Sequence, residues 1–124
     1  MEPPAFLKAI EMRRARYVEG PGYGLWVRFD KPVVGGEPIR ATSRLALGFD
    51  FVNLINVEFD IDAATMINPD VSAHVLRRPA GEWVGVTGDT RFAHDLGRGM
   101  SVAHLSDASG VFGVTSASQL VQPR

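Results

Sequence analysis

The chain has 124 residues, 45% of them hydrophobic, with 13 basic and 14 acidic side chains and no cysteine. That is one domain of ordinary size, residues 1–124, with material for a real core. Balanced charge argues against a dominant nucleic-acid or anionic-membrane surface, which needs a basic excess. The lack of cysteine excludes disulfides, thiolate metal sites and cysteine nucleophiles, and fits a reducing cytoplasm.

In chain order, "MEPPAFLKAI" has no apolar run of signal-peptide length, and no segment reaches the roughly 18 apolar residues of a membrane span. Residues 8–18, "KAIEMRRARYV", read as a strand, with Arg13, Arg14 and Arg16 as a solvated face. "EGPGYG" breaks it, and Leu25 to Phe29 form a second short strand. "DKPVVGGEPIR" reads as a loop with two prolines and a Gly-Gly. Residues 42–55, "TSRLALGFDFVNLI", are the one convincing helix, with Thr42 or Ser43 as its cap. Apolar residues at 45, 46, 47, 49, 51, 52, 54 and 55 cover nearly its whole circumference, which predicts a buried helix wrapped by the rest of the fold. Four β segments follow, near 70–78, 82–94, 98–107 and 111–121, separated by "RRPAG", "LGRG" and "DASG". Long, hairpin-linked strands predict an antiparallel sheet with one covered face.

Two strands, one buried helix and a run of antiparallel strands make an α+β architecture. The expectation is a hotdog fold, a long curved sheet around a single central helix. A lone protomer would leave a sheet edge and part of the helix open, so a dimer is expected.

Four polar residues stand in apolar contexts. Asp70 opens the strand after Asn68-Pro69, Thr90 lies in "GDTRF", Gln119 in "TSASQLV", and Asp50 interrupts the helix one turn before Asn53. Each has an ordinary structural reading: a turn residue, a β-former, a solvent-facing amide and the wet position of a helix. Together they fit a hydrolase that uses water as nucleophile. A carboxylate acts as general base while a hydroxyl and a carboxamide hold the water in line with a carbonyl carbon. No G-x-S-x-G elbow is present. His74, His94 and His104 fall on three different predicted strands without a paired carboxylate signature, so no metal site is expected. "GPGYG" and "GRG" lack the spacing of a phosphate or dinucleotide loop, and no cofactor is expected.

The segments "LALGFDFVN", "INPDVSAHVLRRPAGEWVGVTGDTR" and "GRGMSVAHLSDASGVFGVTSASQLV" resemble the acyl-CoA thioesterase II family and its thioesterase-like relatives, from about Trp26 to the last residue. The resemblance implies a hotdog that hydrolyses acyl-CoA thioesters to free acid and CoA in fatty acid metabolism. It puts the family's Asp, hydroxyl and Gln on Asp70, Thr90 and Gln119. It also implies that Asp50 and Asn53 lie near the thioester, and that Arg98 and Gly99 lie on the CoA side; in the thioesterase reading the acyl chain lies against Phe49, Val52 and their neighbours on the buried helix. Val71 departs from the family, where some members carry a histidine. Family members typically join two hotdogs in one chain, and this sequence resembles only the second. A homodimer, or pairing with another hotdog chain, would supply the other half. Two competing functions share the fold: a non-catalytic acyl-binding or dimerising module, and a hotdog dehydratase or hydratase. The dehydratase reading calls for an Asp/His pair near the helix, and this helix has Asp50 but no histidine.

Overall fold

In a computed structural model, residues 5–16, 23–55 and 63–124 are described. A short 3-10 turn, Ala5–Ala9, leads into β1 (Ile10–Arg16) and then β2 (Tyr23–Phe29). The break expected at "EGPGYG" lies mostly outside the described residues. Helix α1 spans Ala41–Asp50, followed by a 3-10 turn at Val52–Leu54. Then come β3 (Ala64–Val75), β4 (Val84–Ala93), β5 (Arg98–Asp107) and β6 (Gly110–Pro123). The six strands form one antiparallel sheet in the order β1-β2-β4-β5-β6-β3. One helix against this sheet is the hotdog fold.

Strict alternation sets the two faces. From Met100 to Leu105 and from Val114 to Leu120, exposed and buried residues take turns. The inward set from the sheet includes Leu25, Val27, Val84, Val86, Ala103, Leu105, Phe112 and Ala117. It packs against Leu47, Phe51, Val52 and Ile55 from the helix and the turn behind it. Burial of this apolar surface is the main stabilising term.

Three sequence expectations change. The helix is buried on one side only: Leu47 and Gly48 are inside, whereas Thr42, Ala46 and Asp50 are exposed. This sheet covers one side of the helix. Its N-cap is Arg40, with no side-chain cap; the Arg40 carbonyl accepts from the Ser43 and Arg44 amides instead of a Thr42 or Ser43 hydroxyl capping the end. Strand β3 starts at Ala64 rather than at residue 70. It runs through Asn68-Pro69 by way of a register shift between Ile67 and Asp70. Proline cannot donate to a ladder, but β3 is an edge strand and the bulge takes the proline up. Asp70 is therefore a mid-strand residue.

Beyond β3, the loop is held by one buried carboxylate. Asp107 accepts from Arg77 Nη1 at 2.6 Å and Nη2 at 2.9 Å, and from the Ala80 and Ser109 amides at 2.8 Å each. The Arg77 guanidinium holds the Asp107 carboxyl well below the usual carboxylate range.

Candidate active site

The buried polar side chains of the inward face include three on neighbouring strands: Thr90 on β4, Ser101 on β5 and Gln119 on β6, each at most 6% exposed. The ladder brings them together. Thr90 is directly opposite Ser101, Ser101 is opposite Ala117, and Gln119 lies two residues further along β6, opposite Gly99. Thr90 Oγ1 donates to the Val52 carbonyl at 3.2 Å and lies 2.8 Å from Ser101 Oγ. Gln119 Nε2 donates to Ser101 Oγ at 3.0 Å. Gln119 Oε1 is buried and has no hydrogen-bond partner. Such an atom calls for a donor, because an unsatisfied buried acceptor costs about 1–3 kcal/mol.

The bulge of β3 lies against this cluster. Ile67 is opposite Leu120 and Asp70 is opposite Ser118, so Asn68 and Pro69 together stand against Gln119. Asn53, next in the chain to Val52, donates from Nδ2 to Asn68 Oδ1 at 3.3 Å. The turn behind the helix is thus tied to β4 through Thr90 and to β3 through Asn68. Bulges of this kind recur beside active sites, where they re-aim side chains.

Of the residues singled out by sequence, Thr90 and Gln119 come together, joined through Ser101. Asp70 lies apart from them. Directly opposed residues share a side of the sheet, and its partner Ser118 belongs to the exposed set of β6. Asp70 is exposed, and among the described residues its side chain makes no hydrogen bond or ion pair. Asp50 is exposed at the end of the helix. It lines a pocket of about 390 Å³ with Phe29, Val33, Ser43, Ala46 and Leu47. Phe49 packs against the core cluster. Arg98 and Gly99 line a separate groove of about 320 Å³ with Arg91, Phe92, Ala93 and Met100. The three histidines are exposed, and no group of three or more metal-ligating side chains occurs among the described residues.

Sequence reasoning missed Ser101 and Asn68. Both left a signal. Ser101 shares the inward parity of Ala103 and Leu105, so it is a hydroxyl in an apolar row. Asn68 precedes a proline inside a β-rich stretch, which marks a bulge rather than a strand end.

A family model described as "Acyl-CoA thioesterase C-terminal domain" matches residues 1–121. Among solved structures, acyl-CoA thioesterase II TesB2 from Mycobacterium marinum is similar with a TM-score of 0.67 at 16% identity, over 98% of this chain and 52% of that one. A candidate thioesterase from Syntrophus aciditrophicus gives 0.60 at 13% identity, covering 94% and 87% of the two chains. A protein of unknown function from Pseudomonas aeruginosa, described as a probable thioesterase, gives 0.54 at 20% identity, covering 98% and 89%. At such identities the likeness is one of fold. The chain spans about half the length of the M. marinum protein. No curated protein matches it in sequence.

Proposed function

The chain belongs to the acyl-CoA thioesterase C-terminal domain family, and from that premise we propose that it hydrolyses the thioester of a fatty acyl-CoA to the free acid and CoA. Gln119 carries the reading. A buried carboxamide oxygen without a partner, next to a strand bulge and the end of the central helix, suits an O–H donor such as an attacking water. The chain has no cysteine to act as nucleophile. The reading takes water as the nucleophile, with Gln119 holding it and the Asn53–Asn68 pair beside it.

The base is a carboxylate, and this reading takes Asp50, at the rim of an apolar pocket, before Asp70. Asp70 is on the ladder side away from Gln119. Asp50 ends the helix one turn before Asn53, whose amide reaches the bulge. Water oxygen forms the new bond to the thioester carbon as Asp50 takes one proton. The C–S bond then breaks, and that proton goes to the departing CoA thiolate. Placement of this kind supplies much of the barrier reduction.

The apolar wall of Phe29, Val33, Ala46 and Leu47 is the reading's acyl site, with Asp50 at its rim. Phe49 and the fully buried Val52 back it from the core. Arg98, exposed beside Gly99, is the cation for a CoA phosphate. A second hotdog, either a copy or another chain, covers the open stripe of the helix. No helix among the described residues is long and apolar enough to cross a membrane. A non-catalytic acyl-binding module is the second reading, because both Asp50 and Asp70 are exposed and neither takes part in the buried Thr90–Ser101–Gln119 cluster.

Thiol release from acyl-CoAs of increasing chain length tests the assignment, with Asp50→Asn and Asp70→Asn side by side. Asp50→Asn is expected to lose about a hundredfold or more in kcat, and Asp70→Asn to stay near wild type. The reverse order would return the base to Asp70. Acyl-CoA binding without turnover would favour the module.

A further inference from the structure

A side-chain amide is nearly symmetric in shape, so something must decide whether Gln119 shows the site its oxygen or its nitrogen. Proton counting along the buried cluster decides it. A backbone carbonyl only accepts, so the Thr90 hydroxyl spends its one proton on Val52. Thr90 Oγ1 then has only lone pairs for Ser101, and at 2.8 Å the Ser101 hydroxyl must donate to it. Ser101 in turn has only lone pairs left for Gln119. It takes the Nε2 amide at 3.0 Å and turns the amide oxygen, buried and unpartnered, away from Ser101. Every donor in the row points the same way, from β6 through β5 and β4 to the turn behind the helix.

We propose that Ser101, with Thr90 behind it, is a positioning residue. The two hydroxyls relay the polarity of the Val52 carbonyl to Gln119, so that Gln119 presents an acceptor, not a donor, to the attacking water. This rests on the hydrolytic reading above for the identity of the ligand, but the amide's orientation stands on the hydrogen-bond geometry alone. Gly99 bounds the space: a Cβ there would stand 3.0 Å from Gln119 Oε1 and 2.5 Å from the Phe92 ring. The buried oxygen therefore faces the bare backbone of Gly99, where any side chain would crowd it. Water held there has one O–H fixed on Gln119 and a lone pair free for the thioester carbon.

Replacing Thr90 by the near-isosteric valine removes the acceptor for the Ser101 proton. The Ser101 hydroxyl is then free to donate to the carboxamide oxygen, and the amide turns over. Thr90→Ser keeps the relay. The test has two arms on the full chain, with thermal melts confirming that each variant folds. By NMR of nitrogen-15-labelled protein, the Gln119 side-chain NH₂ shows a through-space contact to the Ser101 β-protons in wild type and in Thr90→Ser, and loses it in Thr90→Val. By thiol release, Thr90→Val and Ser101→Ala fall about a hundredfold in kcat with KM within about twofold, as expected for a misaligned reactant. In the same assay Thr90→Ser stays near wild type. Combined with Gln119→Ala, the Ser101→Ala loss disappears, because both act through one group. A wild type that lacks the NMR contact, a Thr90→Val protein that keeps it, or an unchanged kcat in Thr90→Val would overturn the proposal. A wild type without turnover that still shows the contact, lost in Thr90→Val, leaves the relay standing and removes the hydrolytic reading.

Discussion

Replacing Asp107 by asparagine should remove a large share of this domain's stability. The side chain is fully buried and its carboxylate takes four hydrogen bonds: two from Arg77 and one each from the Ala80 and Ser109 amides. Asparagine keeps the shape, loses the charge, and turns two donors towards groups that are themselves donors. Removing one partner of a buried ion pair costs about 3–5 kcal/mol. The Arg77 side chain is 39% exposed and can rehydrate, which sets the expectation at the lower end, about 3 kcal/mol. For a chain of this length that is a fall of about 12 °C in Tm. The pH dependence has a fixed sign. Arg77 lowers the folded carboxyl below its unfolded value. The stabilisation is therefore complete above the unfolded value of about 4 and is lost as pH falls towards the folded one. Urea denaturation at fixed protein concentration, at pH 7 and pH 3, measures both effects. The gap between wild type and Asp107→Asn is expected to narrow by about 1 kcal/mol at pH 3. A gap below 1 kcal/mol at pH 7, or one that widens in acid, would refute the argument.

Gly88→Ala should be poorly tolerated, because a Cβ there would stand 2.0 Å from the Val102 carbonyl oxygen and 2.6 Å from Ala103 Cα on the paired strand. Parting β4 from β5 is expected to cost at least about 2 kcal/mol in denaturation experiments, and it would also separate Thr90 from Ser101. Phe112→Ala, at a fully buried position in the core cluster, should cost about 3–5 kcal/mol by cavity formation, with the same measurement as the check.

The sheet was largely legible in the sequence because its turns are marked by glycine, proline and aspartate and its long strands alternate. Segment 98–107 matches β5 at both ends, and β4 and β6 differ from expectation by one or two residues at each end. Strand β3 was not legible in its first half. Asn68-Pro69 is a common break signal, and only the edge position and the bulge explain how a strand passes through it. The helix's all-round apolar pattern could not say which surface covers which side. One side meets this sheet, while Ala46 and Asp50 stay exposed. In the candidate site, Thr90 and Gln119 stood out as polar residues in apolar strands. Ser101 did not, because serine is ordinary in strands and its role depends on two neighbours that only the register supplies. Asp70 shows the sharpest limit. A strand has a side-chain period of two, so the extra residue of a bulge decides which side a following residue takes. The resemblance to acyl-CoA thioesterases agrees with the family match over residues 1–121, and the fold agrees with the solved structures.

The measurement that tests the account most directly is free-thiol release by wild type and Gln119→Leu from one acyl-CoA panel, with acyl-CoA affinity measured in parallel. Leucine fills much the same volume but offers no acceptor. The account predicts turnover by wild type, and in Gln119→Leu a loss of at least about a hundredfold in kcat with binding retained. Wild-type turnover that survives unchanged in Gln119→Leu would contradict it.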